Sequence, residues 1–411
     1  MRSNNYAALS EPGRDLPLSL RWEFSGESQQ RLQPYLPHAR RRDMIETMIS
    51  ICAQAVLERL STNRAVAYSR CKAWYSCRDY LPGYDMIVGA VDALAGQGLI
   101  RTWIAPSGWP TGLQSRLWPT QRLLDIVGVA NDASGLHFRK RRGVWRPIEL
   151  RDATGTPIAY PDTERTRRMG RNVERINEVF TACRINIGES DANGRLLRIG
   201  QQYVNTAANE SKRIFNEDIN HGGRFYGPWW QQLPKKVREQ LRIQGEPVVE
   251  IDHKYLHPRL LYASRGISLS SDPYLIDSWD RKAVKLGFNI LVNARTHSAA
   301  HLAIAARLEN TPEGRWPSAA ARRKAYELIL AIRAGHKELA DAGRFHSGAG
   351  RHLMRVDSDM CEQVQIVLAN QGITALPVHD SHIVQKRHAD SLSAAMADAY
   401  ELAANSFKKA S

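Results

Sequence analysis

Apolar residues recur at helical spacing at Met44, Met48, Ile49, Cys52 and Val56, which predicts a helix over 43–60. A second helix is expected over 64–76. A third follows Pro82-Gly83, where Met86, Ile87, Val91 and Leu94 line one face until Gly96 and Gly98 stop it. The run Leu99-Ile100-Arg101-Thr102-Trp103-Ile104 predicts a strand, a Pro/Gly-rich loop covers 106–112, and a return strand is expected over 115–118. Three helices and a hairpin give the order of a winged helix, and equally that of a helical cap with a surface hairpin. Ahead of them, residues 1–38 carry Pro12, Pro17, Pro34 and Pro37 with little periodicity and read as an irregular arm. Residues 131–162 are rich in turns and charge, as strands or a linker would be, and helical pattern resumes over 164–183. Pro247-Val248-Val249-Glu250-Ile251-Asp252 predicts a buried strand that ends on an acid. Thr374-Ala375-Leu376-Pro377-Val378 predicts another, ahead of His379-Asp380-Ser381. There is no internal repeat and no low-complexity tract.

Composition narrows the class. The 411 residues are 43% hydrophobic and 24% charged, the balance of a folded protein of two or three packed units. No apolar stretch reaches the ~18 residues of a membrane span, and no charged-then-apolar leader occupies residues 1–20. Cys52, Cys71, Cys77, Cys183 and Cys361 are odd in number and lack CxxC spacing. A disulfide scaffold and structural zinc are therefore not expected, and a reducing, cytoplasmic setting is. Cys71 and Cys77 read as small core residues. With 57 Lys+Arg against 42 Asp+Glu, the net charge is +15, which suits a polyanionic partner such as nucleic acid. Arg40-Arg41-Arg42 forms one basic cluster. Arg139-Lys140-Arg141-Arg142, flanked by Phe138 and Trp145, forms another, mixing cations with flat rings.

Four segments carry candidate chemistry, in this order: Asn220-His221-Gly222-Gly223-Arg224-Phe225-Tyr226; Glu250 through Arg259; Arg281 through Asn289; and Val378-His379-Asp380-Ser381. Asp252 and Asp380 each end a β-rich run. Two strand-end carboxylates brought together repel one another unless a cation lies between them, and Mg²⁺, which takes oxygen ligands, suits that place. Arg281 and Lys285 are four residues apart on one helix face, where they can grip a triphosphate. His297 and His301 lack an accompanying HExxH glutamate and read as helix surface or a template contact rather than a metal pair. Asp357, Asp359 and Glu362 are expected to open a helix as capping charges.

On these residues the chain resembles the superfamily of single-subunit polymerases, which includes family A DNA polymerases and the phage and mitochondrial RNA polymerases. Asp252, followed seven residues later by Arg259, is similar to the first palm motif, and His379-Asp380-Ser381 to the second. Arg281-x-x-x-Lys285 with Phe288-Asn289 resembles the fingers helix, and Gly223-Arg224-Phe225-Tyr226 resembles the template-contacting Gly-Arg segment. The resemblance covers about residues 215–400. It implies an α+β fold: a right-hand palm, helical fingers inserted between the aspartates at about 265–350, and a mainly helical, winged-helix-like N-terminal part. The expected organisation is an arm over 1–38, a nucleic-acid-binding domain over 39–130, a linker and thumb-like region over 131–214, and the catalytic domain over 215–411.

The resemblance also implies roles. Asp252 and Asp380, with the Ile251 carbonyl, would hold two Mg²⁺ ions, or Mn²⁺ in their place. Lys285, Arg281, Phe288, Asn289 and His257 would contact the incoming nucleoside triphosphate. Arg224, Tyr226, Arg259, His379 and Ser381 would contact a primer and a DNA or RNA template. Asn293-Ala294 stands where the family's fingers helix has Tyr-Gly. His257 stands where DNA enzymes have Glu and RNA enzymes Gly, and Asn220 where the Gly-Arg segment begins with Asp. The sugar preference is therefore open between NTP and dNTP. Two rivals accompany this reading: a non-catalytic DNA-binding initiator with a decayed palm, and a Mg²⁺-dependent nuclease.

Overall fold

The structure, a computed structural model, describes residues 15–76, 81–106, 114–129, 132–141, 146–153, 155, 157–188, 194–312 and 314–409. From Leu18 every second residue is apolar. Leu18, Leu20, Trp22 and Phe24 are all buried, with Ser19, Arg21 and Glu23 between them. Over the described part of the predicted arm, 15–38, the chain forms β1 (Leu16–Pro17) and β2 (Trp22–Phe24), followed by α1 (Glu27–Leu32), whereas 1–14 lie outside the described residues. Pro17 is tolerated because β1 is an edge strand.

Helix α2 (Arg42–Ser61) is buried continuously from Thr47 to Leu57, as the centre of a core must be. Its polar residues are satisfied by the first strands. Ser50 Oγ donates to the Trp22 carbonyl at 2.6 Å, and Gln54 Oε1 accepts from the Ser19 amide at 2.9 Å. Where the sequence predicts a helix over 64–76, the chain forms β3 (Val66–Tyr68) and a single turn, α3 (Lys72–Tyr75). Val66 and Tyr68 fill the core from a strand held between β1 and β5. Helix α4 (Tyr84–Gly96), β4 (Ile100–Trp103) and β5 (Ser115–Pro119) occur where expected, and the sheet order is β1-β3-β5-β4. Helix α5 (Gln121–Val127) follows, capped by the Thr120 hydroxyl. Cys71 is exposed rather than in the core, and Cys77 lies outside the described residues.

Strand β6 (Phe138–Lys140) pairs antiparallel with β2. β7 (Ile148–Arg151) and β8 (Pro157–Ile158) then lead to α6 (Glu164–Ala182). β9 (Ile185–Ile187), β10 (Leu196–Ile199), β11 (Gln202–Asn205), β12 (Lys212–Asn216) and β13 (Asp218–Tyr226) follow. One sheet has the order β13-β12-β7-β8. The basic clusters are largely neutralised: Arg41 pairs with Asp43, Arg42 with Glu46, Arg139 and Arg141 with Glu23, and Lys140 with Glu210. Arg142 and Trp145 lie outside the described residues.

The sheet that positions the candidate site is antiparallel, in the order β16-β17-β15-β14-β9. After α7 (Lys235–Arg238), β14 (Leu241–Ile243) and β15 (Glu246–Asp252) form a hairpin. Six helices then intervene: α8 (Leu256–Ala263), α9 (Arg281–Asn293), α10 (His297–Glu309), α11 (Ala319–Gly335), α12 (Lys337–Asp341) and α13 (Gly350–Asn370). β16 (Leu376–Val378), β17 (Ser381–Gln385) and α14 (Ala389–Lys409) complete the chain order. Alternation along the strands gives the sheet two apolar faces. Val248, Leu376, Val378 and Ile383 join the core built by α2 and α4, whereas Val384, with Val249 and Ile251 beside it, joins the core built by α8, α9 and α11. Among the described residues, no helix is long and apolar enough to cross a membrane.

Candidate active site

Asp252 is the last residue of β15 and sits directly opposite Ser381, the first residue of β17. Asp380 is therefore its neighbour across the strand ends. Val378 pairs with Ser381, so His379 and Asp380 form a two-residue turn, with His379 at φ +58°. The backbone amide of His253 donates to the Asp380 carbonyl at 3.4 Å. Two acids 128 positions apart in sequence thus come side by side at one edge of the sheet. The Asp252 carboxyl is pushed up to about 6, first by partial burial, then by the charges of Asp380 and Glu250. Lys285 and Lys235 oppose the rise.

A third acid stands behind this pair. Helix α13 begins at Gly350, so Asp357 lies inside the helix and not in its first turn, and the expected capping role is corrected. Asp357 is buried, and burial raises it to about 6 against the pull of Arg224, with Asp380 and Asp252 adding repulsion. Arg224 donates from Nε at 3.1 Å and Nη2 at 2.8 Å to Asp357 Oδ2. His257 Nε2 lies 3.9 Å from the same oxygen, and burial together with Arg224 lowers the imidazole to about 4. Asp359 and Glu362 are not caps either: both pair with Arg213, which is fully buried.

Helix α9 presents the cationic side. Asp280 caps it, its carboxylate accepting from the Ala283 amide. Arg281, Lys285, Asn289 and Asn293 are exposed at i, i+4, i+8 and i+12, one stripe along the helix. Arg281 Nε donates to Asp272 Oδ2 at 2.7 Å, and Lys285 Nζ sits 5.9 Å from the Tyr274 ring centroid. Phe288 does not belong to the stripe. It is fully buried on the flank beside the stripe, with His336 at 4.9 Å and Phe345 at 5.6 Å between ring centroids. A contact between Phe288 and nucleotide is therefore corrected to a core role, because Tyr274, His336 and Phe345 enclose the ring.

Ser381 is also corrected. Its hydroxyl lies 2.8 Å from Glu250 Oε1 and 2.9 Å from the Val378 carbonyl, buried in the hairpin rather than turned to a template. Glu250 is held by Arg238 at 2.9 and 2.8 Å. Ile251 pairs with His382 in the sheet, next to Asp252. Arg259, on α8, stacks over Tyr400 at 3.7 Å, which fixes α14 against α8. Tyr226 ends β13 with its side chain partly exposed, and His379 is exposed at its turn. His301 Nε2 lies 2.7 Å from the Arg322 carbonyl, as expected of a helix-surface residue.

Among the described residues, no group of three or more His, Cys, Asp or Glu side chains is gathered for a metal ion. The donor set is two carboxylates at neighbouring strand ends, both oxygen donors, with Asp357 engaged by Arg224 behind them. That set fits Mg²⁺, which accepts one or two carboxylates and retains water for its other positions.

No protein-family model matches the chain, and no curated protein matches its sequence.

Proposed function

We propose that the chain is a Mg²⁺-dependent, template-directed nucleotidyltransferase, with the β15–β17 sheet as palm and helices α9–α12 as fingers. The observation that supports it most is the pairing of Asp252 with Asp380 at adjoining strand ends, with the charge of Lys285 acting on Asp252 from α9. Asp252 and Asp380, with the Ile251 carbonyl, would hold Mg²⁺, which when bound supplies an activated 3′-oxygen and charge compensation at the α-phosphate. Arg281 and Lys285 neutralise the triphosphate as the 3′-oxygen bonds to the α-phosphorus and pyrophosphate leaves. Asn289, one turn on from Lys285, faces the nucleotide in place of the ring expected from Phe288. Arg224 fixes Asp357 and, through it, the back wall of the site. His379 positions a primer end from its exposed turn.

The order α2–β3–α3–α4–β4–β5, with β3 and β4 flanking β5, supports a winged-helix reading of the N-terminal part. Its third helix exposes Asp85 and Asp92, so DNA phosphates are not assigned to that face.

Labelled primer–template and unprimed strands, with Mg²⁺ or Mn²⁺ and either NTPs or dNTPs, test the proposal. Extension by the wild-type chain, abolished by Asp380→Ala and weakened chiefly in nucleotide KM by Lys285→Ala, is the expected result. Tight binding without synthesis under every condition would replace it with the initiator reading, and shortened substrate with the nuclease reading.

A further inference from the structure

The stripe on α9 ends at Asn293, which with Arg295 and Arg351 lines a cavity of about 380 Å³. Two residues beyond Arg295, a row of flat rings begins. His346 and His297 lie 5.5 Å apart between ring centroids, His297 and His301 6.4 Å, and His301 and Tyr326 6.4 Å. The row follows the seam between α10 and α11, and Tyr326 is 49% exposed. On α11, Arg322, Tyr326 and Arg333 share one face, at i, i+4 and i+11. From residue 295 to 333 the sequence has seven Arg or Lys against three Glu. Among the described residues, Arg322 and Arg333 have no carboxylate partner, unlike the basic clusters near the N-terminus.

We propose that the α10–α11 seam is a binding track for single-stranded nucleic acid, taking the unpaired template strand away from the α9 stripe. Exposed rings accept bases of any sequence, and guanidinium groups without a carboxylate partner on the same face can meet the phosphates between them. A duplex keeps its bases stacked on one another, so the rings would have nothing to bind, and the single strand is the occupant this chemistry selects. The strand's identity as template rests on the nucleotidyltransferase reading; its capture on the seam does not.

Fluorescence anisotropy of the full chain tests it, with a labelled 20-nucleotide single strand and a blunt 20-base-pair duplex across a salt series. Tyr326→Ala is expected to weaken single-strand binding roughly tenfold, Tyr326→Trp to retain it, and duplex binding to change by less than about twofold. Arg322→Ala/Arg333→Ala should reduce the slope of log affinity against log salt by about 1.4. All three variants should keep the wild-type melting temperature, since the substituted side chains are at the surface. Unchanged single-strand affinity in both alanine variants would overturn the track, as would equal losses for strand and duplex. If wild type fails to extend any primer while Tyr326→Ala loses the single strand, the nucleotidyltransferase reading falls and the track stands. Extension by wild type with unaltered binding by the variants gives the reverse.

Discussion

Folding disfavours the charged forms of Asp252 and Asp357, for different balances of cause. Burial leads in both; repulsion from Asp380 and Glu250 adds to it at Asp252, whereas Arg224 opposes it at Asp357, and each carboxyl lies at about 6. An unfolded aspartate titrates near 4. Between about pH 4 and 6 the folded chain therefore binds more protons than the unfolded one, and these two groups make stability fall as pH rises through that window. Other acids pull the opposite way: Glu250 is held below its ordinary value by Arg238 and Ser381, and Asp272 by Arg281. The difference between wild type and Asp252→Asn isolates the site. The variant should melt at about the wild-type temperature near pH 4 and increasingly above it as pH rises from 4 to 6, the gap levelling off beyond, because the amide removes a charge disfavoured first by burial and then by Asp380. Adding Mg²⁺ at about pH 7.5 should raise the melting temperature of wild type and leave the variant nearly unmoved. A melting difference independent of pH would show that folding does not disfavour the charged Asp252.

Helix α13 binds the two halves of the site's back wall through one buried arginine on its neighbour. Arg213 of β12 donates to Asp359 Oδ1 at 2.7 Å, Ser358 Oγ at 2.8 Å and the Gly223 carbonyl at 2.8 Å, and it pairs with Glu362. Gly223 has φ +82°, and a Cβ there would lie 2.6 Å from the Phe215 ring. The glycine lets β13 approach closely enough for the next residue, Arg224, to reach Asp357. Arg213→Met leaves Glu362 without a counter-charge, its remaining partner being the Asn172 amide at 2.7 Å, and should cost on the order of 3 kcal/mol, seen as a lower urea midpoint. An unchanged midpoint would mean that the acids find other partners. This element also shows what the sequence makes legible. The β15 and β16 strands, α4, the β4–β5 hairpin and the meeting of Asp252 with Asp380 follow from alternation and strand-end acids. The roles of Asp357 and Arg213 do not, because each is decided by a partner more than 130 positions away. One signal for Asp357 was present: it falls on the buried stripe of α13 with Leu353, Met360 and Val364, where a capping acid would not be. Phe288 lies close in angle to Arg281, so spacing groups the two; its burial is decided by His336 and Phe345, more than 45 positions away.

At the scale of the whole chain, the continuity of the larger core decides what can fold alone. A boundary at 214/215 suits the motif order, but the core built by α2 and α4 extends without a break into the sheet that carries Asp252. Phe180 of α6 packs on Trp230 at 5.2 Å, and Trp230 Nε1 donates to the Pro377 carbonyl at 3.3 Å, so the N-terminal half touches the hairpin that carries Asp380. Trp229, Trp230, Leu241, Ile243, Val248, Leu376, Val378 and Ile383 are all buried on that face. Cutting the chain at 214/215 would expose them together, an apolar patch far beyond what a soluble monomer tolerates. The opposite face, built by α8, α9 and α11, would keep its own core. A fragment covering 215–411 should therefore retain helical circular dichroism yet aggregate or bind a hydrophobic dye. Its tryptophan emission should be shifted to the red of the full chain's, because Trp229 and Trp230 lose their cover. Cooperative melting of the isolated fragment with shielded tryptophans would show instead that the sheet needs only one of its two cores, and that the C-terminal half is an independent unit joined to the rest by contacts of little energetic weight.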